Sequence, residues 1–146
     1  MTGPHKNRVT VACVNFKPAG GDKANALERI KEFTEKASRE GANLILFPEL
    51  ALTSLPSEEL VPQFAETIPG PSTEEVAKLA AQLKAYVTFG MLECDQKDSR
   101  IVYNAAVMIG PAGILGSYRK IHPFAPFETY EGGRKLPIFE TSYGPI

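Results

Sequence analysis

Leu44-Ile45-Leu46-Phe47, four apolar residues in succession stopped by Pro48, is the run that most narrows what this chain can fold into. A strand with one wet face alternates polar and apolar residues; an unbroken apolar run fits a strand covered on both faces. Proline has no N–H to give to a sheet ladder and ends it. Such strands belong to parallel sheets flanked by crossover helices, so the run predicts an α/β fold and puts Glu49 where a buried strand ends.

The neighbouring segments agree. Val9 to Phe16 is rich in β-branched residues and bounded by Asn7 and Lys17-Pro18, which predicts a buried first strand with Cys13 as a small core residue. Asp22 is a candidate N-cap, and Ala26, Leu27, Ile30, Phe33 and Ala37 recur at helical spacing until Gly41, a helix over about 23–40. Ser72 with Glu75 forms a candidate capping box ahead of Val76, Leu79, Ala80 and Leu83, a second helix over about 73–85. Strands follow at Tyr86 to Leu92, Val102 to Ile109 and Ile114 to Arg119, the last two joined as a hairpin through Gly110-Pro111-Ala112-Gly113. Ile121 to Arg134, dense in Pro, Gly, aromatics and charge, predicts a long ordered loop, and Leu136 to Phe139 a further short strand.

Several function classes drop out. Lys+Arg 16 against Asp+Glu 17 leaves a net charge of -1 and no basic stripe for nucleic acid. No stretch approaches a membrane span, and the opening residues carry no secretory pattern, so a cytoplasmic protein with free thiols and no membrane partner is expected. Cys13 and Cys94 lie far apart, and with two histidines in the chain no metal-ligand spacing arises. Gly20-Gly21 follows a strand and precedes a helix, but lacks the glycine fingerprint of a nucleotide site and reads as an ordinary connection.

Glu49 and Lys120 each follow an apolar strand, so both could converge at one sheet edge. Burial there raises a carboxylate's pKa and lowers an ammonium's, while pairing opposes both shifts. Position alone favours a structural salt bridge or two solvated strand ends over a catalytic pair. The residue strings go further. Asn43-Leu44-Ile45-Leu46-Phe47-Pro48-Glu49-Leu50, then Tyr103-Asn104-Ala105-Ala106-Val107, then Tyr118-Arg119-Lys120-Ile121-His122 resemble, in order and spacing, the carbon-nitrogen hydrolase (nitrilase) superfamily.

The resemblance implies a four-layer α-β-β-α sandwich, of which residues 1–146 would be a single partial domain, the N-terminal portion. It implies a Glu-Lys-Cys triad with Glu49 as general base and Lys120 stabilising the oxyanion. Glu128, in Pro126-Phe127-Glu128-Thr129-Tyr130, resembles the family's additional carboxylate. The implied reaction is hydrolysis of an amide or N-carbamoyl group, with a nitrile as the lesser choice, without a metal or organic cofactor. His122 matches no catalytic role and reads as a turn residue.

In that family the nucleophilic cysteine follows a Gly-Pro-Ile segment like Gly144-Pro145-Ile146. Cys13 lies in the first strand, and Cys94 stands between Glu93 and Asp95, which disfavour its thiolate. The expected partners are therefore a small-molecule substrate, a C-terminal remainder bearing the cysteine, and further copies in a homo-oligomer. An inactive homologue that serves as a binding or oligomerisation module is the alternative.

Overall fold

The computed structural model describes residues 8–17 and 20–146. The bounds expected at Asn7 and Pro18 lie outside the described residues. Five strands form one sheet in the order β1 (Val11–Cys13), β2 (Leu44–Leu46), β3 (Tyr86–Cys94), β4 (Val102–Gly110) and β5 (Gly113–Arg119). The first three are parallel and the last two antiparallel. That mixture follows from the connections: helices carry the chain between parallel neighbours, while a short loop and a tight turn join the antiparallel ones.

Helix α1 (Lys23–Arg39) starts where Asp22 Oδ1 accepts the Asn25 N–H at 2.9 Å, and Gly41 at φ +91° turns the chain away from it. A short turn at Glu58–Leu60 leads into α2 (Val61–Phe64), followed by α3 (Pro71–Leu83). α1 and α3 pack on one face of the sheet. Ile30, Val76 and Ala80 meet Ile45, Val87, Phe89, Met91, Val107 and Ile109, all essentially sealed from solvent. The sheet and this helical layer make two of the four layers that the resemblance implies.

Four expectations need correction. Cys13 is exposed rather than buried, as is Val11: both lie on the face of an edge strand away from the helices, and β-branching does not decide what covers a face. The second helix begins at Pro71, not after Ser72. Pro71 suits the first helical position, and Thr73 Oγ1 both accepts from the Gly70 N–H and donates to the Gly70 carbonyl, each at 2.9 Å. Ser72 instead gives its N–H and hydroxyl to Glu66, while Glu75 pairs with Lys31. Leu136 to Phe139 forms no strand. Leu136 and Ile138 point to solvent, and the pairing falls one step later, between β6 (Glu140–Thr141) and β7 (Gly144–Pro145).

Over the sheet's other face, Phe139 and Tyr143 close on Leu44, Tyr86 and Met108. Residues 121–139 run as a long ordered loop from the end of β5, as expected. No helix among the described residues is long and apolar enough to cross a membrane.

Candidate active site

Glu49 lies in the turn that follows β2. That turn is stitched to β3 by the Gly90 N–H to the Pro48 carbonyl (3.2 Å), the Leu52 N–H to the Gly90 carbonyl (3.1 Å) and the Phe47 N–H to the Thr88 carbonyl (2.9 Å). The close approach needs glycine at position 90, since a Cβ there would stand 2.8 Å from Glu49 Cα and nearer still to the Leu50 nitrogen. Gly90→Ala is therefore expected to push the turn off the sheet and cost about 1–3 kcal/mol in urea unfolding. A change under about 0.5 kcal/mol, the scale of an ordinary surface substitution, would mean the turn has room to spare.

Lys120 immediately follows β5, held by its N–H to the Asn104 carbonyl and by the Gly133 N–H to its own carbonyl, both 2.8 Å. Its ammonium reaches Glu49 Oε1 at 2.8 Å and Glu128 Oε2 at 2.9 Å. Glu128 belongs to a tight turn in which its N–H meets the Phe124 carbonyl and its Oε2 accepts the Phe124 N–H at 2.6 Å. The structure thus brings all three sequence-predicted residues into one cluster.

Their environments differ. The Glu128 side chain is 6% exposed, against 29% for Lys120 and 59% for Glu49. Loop glutamates are as a rule solvated; this one is buried because three donors meet it, Phe124 N–H, Lys120 and Asn104 Nδ2. The expected burial of Glu49 at the strand end is not met within these residues. For Lys120, pairing outweighs burial: the bonds to Glu49 and then Glu128 raise its pKa above the ordinary lysine value. Burial pushes Glu128 up, yet the Phe124 N–H, Lys120 and Asn104 together hold it below the usual carboxylate value.

Asn104 is the residue the sequence reading passed over. It interrupts the apolar run of β4, is 4% exposed, and donates to Glu49 Oε1 and Glu128 Oε1 at 2.7 Å each. A polar side chain inside a central strand must find partners, and that was the available signal. His122 is exposed and outside the cluster.

Counting bonds separates the two carboxylates chemically. Glu128 uses both oxygens, whereas Glu49 accepts through Oε1 alone and leaves Oε2 without a partner among the described residues. Lys120 spends two of its three N–H donors, so one remains for a ligand. The cluster borders a cleft of about 360 Å³ walled by Thr88, Ala106 and Tyr118, and a second hollow bordered by Leu55, Phe124 and Phe127. Among the described residues, neither Cys13 nor Cys94 lines either space. Cys94 ends β3 and packs beside Leu50, Leu92 and Val102, its thiol pushed up by burial and then by the charges of Glu93, Asp95 and Glu66.

The family model for carbon-nitrogen hydrolases matches residues 10–146. A probable nitrilase of Schizosaccharomyces pombe is 33% identical over 144 residues, covering 95% of this chain and 53% of that protein. An omega-amidase of Xenopus tropicalis is 31% identical over 132 residues, covering 83% and 47%. The crystal structure of Saccharomyces cerevisiae Nit3, a member of the nitrilase superfamily, superposes with a TM-score of 0.80 at 26% identity over 92% of this chain and 52% of that one. The chain spans about half the length of the curated relatives it matches.

Proposed function

Since the chain belongs to the carbon-nitrogen hydrolase family, we propose that it supplies the base and the cation of an amidase-type hydrolase, with Glu49 as general base and Lys120 as oxyanion stabiliser. The observation that carries this reading is the unequal use of the two carboxylates: Glu49 keeps Oε2 open for proton transfer, while Glu128 accepts through both oxygens and serves to fix Lys120. The nucleophile is a cysteine thiol contributed by residues beyond 1–146, because neither Cys13 nor Cys94 borders the cluster.

In the proposed reaction Glu49 takes the thiol proton, the thiolate sulfur bonds to the carbonyl carbon, and the carbonyl electron pair moves onto oxygen. The spare Lys120 donor meets that oxyanion in a partly water-excluded cleft, where a positioned cation is worth far more than in bulk water. As the C–N bond breaks, Glu49 returns the proton to the departing nitrogen. A thioester is left; Glu49 then deprotonates the water that attacks it, and the acid is released with the thiol restored. The omega-amidase relatives favour an amide substrate, and an N-carbamoyl group has the same carbonyl and leaving nitrogen.

The test is hydrolysis of a panel of small amides, N-carbamoyl amino acids and nitriles by the enzyme assembled with its cysteine-bearing remainder. Glu49→Gln keeps the shape and removes the base, so turnover of the preferred substrate should fall by at least about 10³-fold. Undiminished turnover in that variant would overturn the assignment of the base, and a wild type inert on all three classes would overturn the hydrolase reading.

A further inference from the structure

Asn104 occupies an unusual place in the cluster. Its carboxamide nitrogen carries two hydrogens, and both are spent on carboxylates, one on Glu49 Oε1 and one on Glu128 Oε1, each at 2.7 Å. The assignment of nitrogen rather than oxygen to that position follows from chemistry, because a carbonyl oxygen facing two carboxylates would be repelled by both. Lys120 closes the circuit on the other side, from Glu49 Oε1 to Glu128 Oε2. Two like charges are thus held near each other by one amide and one ammonium.

The two bridges are not equivalent. Lysine ends a flexible four-carbon stem, and 29% of this side chain is exposed. Asn104 has a short side chain on β4, which is flanked on both sides by paired strands, and is 4% exposed. The rigid member of the pair sets the separation of the carboxylates, and the mobile one adapts to it.

We propose that Asn104 is a positioning residue for the reaction: its amide holds Glu49 through Oε1 against Glu128, so that Oε2 is the oxygen left for proton transfer. The inference rests on the hydrolase reading above. Asn104 borders the cleft, but both of its amide hydrogens are committed to the carboxylates, so it acts through Glu49. Without the bridge, Glu49 is tethered only by Lys120, and its repulsion from Glu128 moves it off the line to the thiol. A displacement of about 1 Å in a reacting group costs on the order of 10²-fold in rate.

The experiment separates shape from donation in the assembled enzyme. Asn104→Leu keeps the branched shape and loses both donors, Asn104→Ala loses shape and donors, and Asn104→Ser keeps one donor in a smaller side chain. Expected is a fall in kcat of about 10²-fold for Leu and Ala with KM within about threefold, and an intermediate kcat for Ser. A packing role gives the opposite order, with Leu closest to wild type. Leu at or above Ser in kcat, or any donor-free variant within about threefold of wild type, overturns the proposal. If the Leu variant does not fold, Ala against Ser carries the same comparison. An inert wild type brings down the hydrolase reading itself, whereas an active wild type with an active Leu variant brings down only the role of Asn104.

Discussion

Lys120→Ala is expected to abolish turnover and to destabilise the fold in a pH-dependent way. The first effect follows from the role proposed for Lys120 as donor to the oxyanion, a loss of at least about 10²–10³-fold for a single donor. The second comes from Glu128. With 6% of its side chain exposed, it keeps the Phe124 N–H and Asn104 but loses its one cation among the described residues, at a cost of about 2–3 kcal/mol near neutral pH.

The pH dependence has a definite sign. Glu128 is held below the ordinary carboxylate value in the folded chain, so it contributes stability above the unfolded carboxylate range and loses it as pH falls through the folded value. Lys120 is raised, so its share is present below the ordinary lysine value and lost as pH rises through the raised one. The gap between wild type and Lys120→Ala should be widest near neutrality and close in acid as Glu128 protonates. Urea midpoints at neutral and acidic pH measure it; an equal gap at both would mean that Glu128 does not depend on Lys120.

How legible this cluster was in the sequence varies residue by residue. Glu49 and Lys120 were readable because local chemistry announces a strand end: an apolar run, then Pro48, or an apolar run, then charge. Helix α1 was readable from Asp22 to Gly41 for the same reason, since caps and periodicity are local. The bridging role of Asn104 was not, because its partners lie 55 and 24 residues away in sequence. Glu128's burial depends on the turn that brings Phe124 N–H to it. Cys13 failed for a related reason: what packs on a strand face is decided by the rest of the molecule, not by the strand. At the start of α3 two local signals competed, and Pro71 with Thr73 prevailed over Ser72 with Glu75.

Behind the cluster, on the helix-covered face of the sheet, lies the ion pair on which the second large effect depends. Arg119→Ala is expected to cost about 3 kcal/mol, the low end of what breaking a buried pair costs, because Glu93 is buried while 31% of the Arg119 side chain is exposed. Glu93, opposite Tyr103 on β4, has 4% of its side chain exposed. It takes two bonds from Arg119, Nη2 to Oε1 at 2.7 Å and Nε to Oε2 at 3.1 Å, with a longer contact from Ser117 at 3.3 Å beside them. The guanidinium also lies 3.8 Å from the centre of the Tyr103 ring, so the substitution removes packing as well as charge. Arg119 directly precedes Lys120, and the pair anchors the end of β5 from which the Lys120 ammonium projects. Turnover should therefore fall along with stability, though less than in Lys120→Ala. A double substitution, Arg119→Met with Glu93→Met, removes both charges and should recover most of the lost stability, because the penalty lies in the orphaned carboxylate. Chemical unfolding of the single and double variants decides it: a double variant as unstable as Arg119→Ala would place the cost in lost packing over Tyr103 instead of in the uncompensated charge of Glu93.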